Sequence, residues 1–288
     1  MTGQHSLIGR HIDEADTPAL WIDLDAFEHN ASKMLRLCNN QNVRWRPHVK
    51  ASKSPDLAHR LISIGAQGIT CAKVAEAEAM AAGGINDILV ANEIIGTTKI
   101  ERLVQVAKQA RIGVACDDKA NISEISSIAS KSNVTIGILV DINVGANRCG
   151  VAPEEAPALA RLVMESPGIE LRGLMGYEGH VMGMQPEDKE AASAKAADIL
   201  AEAKSLVEAS GLTVEILSGG GSGNYWHAAT LGSINELQAG GGALMDISYQ
   251  ELMKLPDHQY ALYLNCLLYT SDAADEGLGV DLGGRRII

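Results

Sequence analysis

Residues 68–90 read GITCAKVAEAEAMAAGGINDILV. The run Gly68–Cys71 carries β-branched Ile69 and Thr70, Val74–Ala82 is built from strong helix formers, Gly83 and Gly84 stop it, and Asp87–Val90 is apolar again. Short apolar runs on either side of an Ala-rich helical stretch predict two buried parallel strands joined by a crossover helix. The same unit recurs outward in both directions. Strands are predicted at Leu20–Leu24, Val43–Pro47, Ile112–Cys116, Thr135–Asn143, Leu171–Gly176 and Val214–Leu217. Helices are predicted at Ala26–Cys38, Pro55–Ile64, Thr98–Lys108, Lys119–Ser130, Pro153–Ser166 and Glu187–Ala209. Eight strands alternating with helices predict an α/β chain folded as a (β/α)8 TIM barrel, a size that 288 residues suit.

Composition agrees. Hydrophobic residues make up 46% but aromatics only 3%, with a single Phe, so the core must be Ala, Val, Ile and Leu, as in parallel strands covered by helices. A net charge of −12 with scattered basic residues argues against a nucleic-acid partner. Cys38, Cys71, Cys116, Cys149 and Cys266 lie far apart without CxxC or Cys/His spacing, which argues against disulfides and zinc and for a reducing cytoplasm. Neither a signal-peptide core nor an apolar run of about 18 residues occurs, so no membrane association is expected.

Barrels gather functional groups at the C-terminal ends of their strands. There stand His48 and Lys50 in RPHVK, Asp141 to Gly150 in DINVGANRCG, Tyr177 and His180 in GYEGH, and SGGGSG at 218–223, followed by ELQAGGG at 236–242. Taken alone, SGGGSG reads best as a flexible turn, Arg148 as a surface residue, His180 as a structural histidine and Lys50 as a solvated strand end. Together they supply what pyridoxal phosphate requires: an amine for the aldehyde, cations for the anionic oxygens, a ring neighbour, and glycines whose backbone N–H groups approach a phosphate. A phosphate-binding barrel isomerase with Lys50 in an electrostatic role is the competing reading.

Thr17-Pro18, RPHVK, DxNxGxxRCGV, GYEGH, SGGGSG and ELQAG, in this order from about residue 15 to about residue 262, resemble the D-threonine aldolase and D-serine dehydratase family. Those are fold-type III pyridoxal-phosphate enzymes with a barrel of the alanine racemase N-terminal type. The resemblance implies that Lys50 is the Schiff-base lysine and that Arg148 approaches the cofactor's phenolic oxygen. It places Tyr177 and His180 on the ring and substrate side and His48 among the cofactor-binding residues, with Lys50 and His180 the catalytic candidates. Gly221, Ser222, Gly223, Gly240 and Gly241 are implied at the phosphate, and Gln238 where the racemases carry an arginine against the pyridine nitrogen. Where the family tends to have Gly, a hydroxyl residue and Tyr, this chain has Gly240-Gly241-Gly242.

The implied activity is lyase cleavage of a β-hydroxy-D-amino acid to glycine and an aldehyde. D-serine dehydratase, D-3-hydroxyaspartate aldolase and a non-catalytic cofactor-binding barrel are the alternatives. A homodimer and a divalent metal are implied for full-length members, the metal held by a late His with Asp or Cys two residues on in a C-terminal β domain. No late histidine has such a partner, so no metal ligands are expected here, and turnover is expected to depend on that domain. The expected organisation is an N-terminal extension at 1–16, the barrel at 17–255, the start of the β domain at 256–265, and a non-native or disordered tail at 266–288. In that tail LLYTSDAADE resembles translated adapter sequence.

Overall fold

Strand β1 (Ala19–Ile22) leads into helix α1 (Leu24–Asn40) in a computed structural model that describes residues 7–267. The Asp23 carboxylate opens α1 by accepting the Ala26 N–H at 3.0 Å. Seven further strand and helix pairs follow. These are β2 (Arg44–Trp45) with α2 (Pro55–Ile64), β3 (Ile69–Cys71) with α3 (Val74–Ala82), β4 (Asp87–Glu93) with α4 (Thr97–Ala107), and β5 (Arg111–Cys116) with α5 (Lys119–Lys131). After them come β6 (Ile136–Asp141) with α6 (Ala156–Glu165), β7 (Ile169–Gly176) with α7 (Pro186–Ala209), and β8 (Ile216–Gly219) with α8 (Tyr225–Thr230).

The eighth barrel strand is β9 (Glu236–Leu237), followed by the short helices α9 (Gly241–Leu244) and α10 (Ile247–Glu251). All eight strands run parallel in the order β2-β9-β8-β7-β6-β5-β4-β3. The ring closes between β2 and β3, where Gln67 N–H donates to Trp45 O at 2.9 Å, Thr70 N–H to Pro47 O at 2.9 Å, and Val49 N–H to Thr70 O at 2.8 Å. The chain is therefore the expected (β/α)8 barrel.

One strand assignment is corrected. The segment expected as the first barrel strand, Leu20–Leu24, stands outside the barrel: β1 pairs antiparallel with β10 (Leu262–Asn265). A barrel strand must be covered on both faces, whereas Leu20 is 72% exposed. Its place in the ring is taken by β9, two buried residues hydrogen-bonded to β8 and β2.

Two cores hold the barrel. Alternate strand residues such as Ile88, Val90, Ile112 and Val114 pack outward against the helices, while Leu89, Ala115, Leu139, Met175 and Ile216 form a separate cluster. This is the alternation expected of strands sandwiched between a helical shell and a filled interior. All five cysteines are free, and among the described residues no helix is long and apolar enough to cross a membrane. Most of the expected 266–288 tail and the first six residues of the 1–16 extension lie outside the described residues.

Candidate active site

Lys50 follows β2 at the C-terminal rim, where a cavity of about 370 Å³ opens. His48, Lys50, Arg148, Tyr177, Gly221, Ser222, Gln238, Gly240 and Gly241 line its wall. No acidic side chain lines it, in a chain of net charge −12.

His48 is fixed to two neighbouring strands: its N–H donates to Gln238 O at 2.9 Å and it bridges to Thr70. Its Nδ1 accepts the Lys50 N–H at 3.2 Å, so it is the unprotonated nitrogen. Burial, and then the Lys50 ammonium, lowers the His48 pKa to about 3. Lys50 is pushed downward as well, by desolvation against the wall first and by Arg148 second, with Glu76 opposing. The shift makes the amine a readier nucleophile than an ordinary lysine, while its side chain remains exposed to solvent.

Arg148 is carried by a loop that Asn143 organises: its Oδ1 accepts the N–H groups of Gly145 and Asn147, both at 3.1 Å. Asn147 takes a positive φ of 51°, a conformation asparagine tolerates better than most residues. The loop's far end is tied by Gly150 N–H to the Asp117 carboxylate at 2.9 Å. The result places the Arg148 guanidinium 5.3 Å, and the Lys50 ammonium 5.7 Å, from the centroid of the Tyr177 ring. Two cations and one aromatic ring thus converge from three strand ends.

Part of the glycine loop is already committed. Gly220 N–H donates to the buried Glu178 carboxylate at 3.0 Å and Gly221 N–H to Asn224 Oδ1 at 3.1 Å. The N–H groups of Ser222, Gly223 and Gly241 have no protein acceptor among the described residues. Close approach explains the glycines: a Cβ on Gly221 would come within 2.7 Å of Met182 Sδ, and one on Gly240 would overlap the His48 backbone. Gly223 does not reach the wall, since its carbonyl is turned to Lys189 Nζ at 2.7 Å. His180 is not in the wall either; it lies exposed on a 3-10 turn, its ring against Gly145.

A family model described as alanine racemase, N-terminal domain matches residues 22–246. The chain belongs to that family. It is 40% identical over 248 residues to the 3-hydroxy-D-aspartate aldolase of Paracoccus denitrificans (strain Pd 1222), covering 85% of this chain and 64% of that one. To the D-threonine aldolase of Arthrobacter sp it is 37% identical over 243 residues, covering 84% and 64%. The crystal structure of D-threonine aldolase from Filomicrobium marinum superposes with a TM-score of 0.85 at 39% identity, covering 88% of this chain and 69% of that one. The chain thus spans 64% of the length of the two curated relatives.

In this alanine racemase N-terminal barrel, sequence reading missed what supports the wall. Tyr249 and Met253, from and beyond α10, line the cavity, and the Tyr249 hydroxyl bonds Ser222. Gln238 stands at the end of a buried polar chain: its Nε2 donates to Ser218 Oγ at 3.0 Å, Ser218 donates to Glu236 Oε1 at 2.9 Å, Arg46 Nε donates to Glu236 Oε2 at 2.9 Å, and Arg46 Nη1 donates to Asp87 at 2.7 Å. A guanidinium has only donors, so polarity runs one way and fixes which end of the Gln238 amide meets Ser218. Beneath the Arg148 loop, Glu93, Asp141 and Cys149 present ligand atoms within 4.8 Å of one another. Desolvation first, and the Glu93 carboxylate second, push the Asp141 pKa up to about 8, so the two carboxyls share a proton.

Proposed function

We propose that this chain is the cofactor-binding barrel of a pyridoxal-phosphate-dependent lyase that cleaves a β-hydroxy-D-amino acid to glycine and an aldehyde. The observation that carries the reading is Lys50, with lowered pKa, beside Arg148 and Tyr177 in a cavity without acidic lining. The resemblance to proteins named as D-threonine and 3-hydroxy-D-aspartate aldolases supports it. The residues fit the cofactor: an amine for its aldehyde, a guanidinium for its phenolic oxygen, a volume in the range of small-molecule sites, and glycines at which a side chain would collide with Met182 or the His48 backbone.

The chain's own groups have separable tasks. Lys50 Nζ would be the amine that holds the cofactor aldehyde. His48, neutral, anchors the Lys50 backbone without adding charge. Arg148 would balance negative charge on the phenolic oxygen, and Tyr177 keeps the two cations against its ring. Ser222 and Gly241 would offer N–H groups to the phosphate. Gln238 would meet the pyridine nitrogen as a neutral group, bringing neither the positive charge of an arginine nor the negative charge of a carboxylate. Pyridoxal phosphate, when bound, supplies the electron sink for breaking a bond to Cα.

The same reading takes 256–265 as the start of a second domain, supported by the pairing of β1 with β10 outside the ring, so that β1 stands apart within the 17–255 barrel segment. A cytoplasmic homodimer completes it, with the five free cysteines in keeping with a reducing compartment.

The test is an absorbance titration of the protein with pyridoxal phosphate, followed by borohydride reduction and peptide mapping. A reducible adduct on Lys50 that disappears in Lys50→Ala is expected. A label on another lysine sinks the assignment. With D-threonine, an aldehyde product supports the aldolase reading and a 2-oxo acid replaces it with a dehydratase.

A further inference from the structure

Lys189 stands near the start of α7 in the sequence PEDKE, the profile of a solvated helix terminus, yet it is 0% exposed. Its ammonium donates to the carbonyl oxygens of Gly223 at 2.7 Å and Met253 at 2.5 Å and lies 5.6 Å from the centroid of the Trp226 ring. Among the described residues no carboxylate is within ion-pair distance of it. A fully buried lysine is ordinarily paired, and the N-terminal end of a helix is the unfavourable end for a cation. Two carbonyls and a ring face compensate only part of that cost.

The loop that Lys189 grips is the one whose other face lines the cavity through Gly221 and Ser222. One helical turn further on, Ser193 Oγ accepts the Asn224 amide at 3.1 Å, and Asn224 in turn takes the Gly221 N–H. Helix α7 therefore holds 221–224 at two points, from residues four apart on one face.

We propose that Lys189 is the buried cation of a phosphate-monoester subsite, positioning the 218–223 loop and adding its charge from behind to the anion that the loop receives. It is a positioning residue and does not touch the anion. The inference rests on the cofactor reading for the identity of the monoester, not for its charge.

Lys189→Gln keeps two amide hydrogens for the two carbonyls and removes the charge. Affinities are measured for inorganic phosphate, for pyridoxal phosphate, and for pyridoxal, which has the aldehyde without the phosphate. Phosphate and pyridoxal phosphate are expected to bind on the order of tenfold more weakly to the variant, with pyridoxal unchanged. Equal loss for pyridoxal and pyridoxal phosphate, or no loss for either, overturns the proposal, since a merely structural lysine would act on both alike. Wild-type protein that binds inorganic phosphate in a Lys189-dependent way but forms no adduct at Lys50 sinks the cofactor reading and leaves this one standing; wild type that binds no phosphate sinks this one. If Lys189→Gln does not fold, the wild type answers directly: the Lys189 Nζ nitrogen resonance shifts on saturation with inorganic phosphate, and an unmoved resonance overturns the proposal.

Discussion

Gly241 lacks a side chain because Tyr249 occupies its space. A Cβ there would overlap the Tyr249 hydroxyl and ring carbons, and the same hydroxyl bonds Ser222 beside it. The residue's φ is not in the left-handed region, so the constraint is steric, and it comes from a helix eight residues downstream. The triple glycine at 240–242, a departure from the pattern the sequence resembles, therefore has a physical reason at its middle position. Gly241→Ala should cost about 1–3 kcal/mol as an overpacking substitution. Tyr249→Ala should relieve it, so that in urea unfolding the double variant is more stable than the sum of the single losses by about 1 kcal/mol or more. Strict additivity would mean that the backbone, not Tyr249, makes the position intolerant.

At the scale of elements, legibility followed burial and length. Strands β3 to β7 are covered on both faces and carry β-branched residues, so their apolar runs stood out, and the helices between them ended at visible glycines or polar caps. β9 has two residues, one of them Glu236, and no periodicity can mark so short a strand. β1 reads as a strand and is one, but pairing is a property of the partner, and its partner β10 lies more than two hundred residues on. The rim groups Lys50, Arg148 and Tyr177 were legible because strand ends announce them. Arg46 and Glu236 were read only as letters of motifs, because nothing local shows that residues 190 apart meet inside the barrel.

That contact sets a prediction for β2 and β9 as a pair. Glu236→Gln leaves the buried Arg46 guanidinium without one of its two carboxylates and should cost about 3–5 kcal/mol. Replacing both partners by apolar residues, Arg46→Met with Glu236→Leu, should cost less than the single change, because neither fully buried charge remains and the part-exposed Asp87 keeps Arg111 at 3.9 Å. Chemical denaturation of the three proteins decides it. A single substitution that leaves stability unchanged would show that the ion pair contributes nothing to holding β9 in the ring.

For the molecule as a whole, the buried titratable groups set opposite slopes on stability against pH. His48, lowered to about 3 by burial and by Lys50, binds a proton more readily unfolded, so its contribution is lost as pH falls below the ordinary histidine range. Asp141, raised to about 8 by burial and by Glu93, binds its proton more readily folded; its contribution is present below the ordinary carboxyl range and is lost as pH rises through about 8. Between the two ordinary values the slopes oppose one another, and above the histidine value Asp141 contributes about 1.4 kcal/mol per pH unit, with the buried Glu178, also raised by desolvation, sloping the same way in both wild type and variant. Asp141→Asn offers Glu93 a permanent N–H in place of the shared proton. Its unfolding free energy should match the wild type's near pH 6 and exceed it by about 2 kcal/mol at pH 8. Parallel curves for the two proteins over that interval would mean that Glu93 and Asp141 do not share a proton, and that the Arg148 loop rests on a pair of charges held apart in some other way.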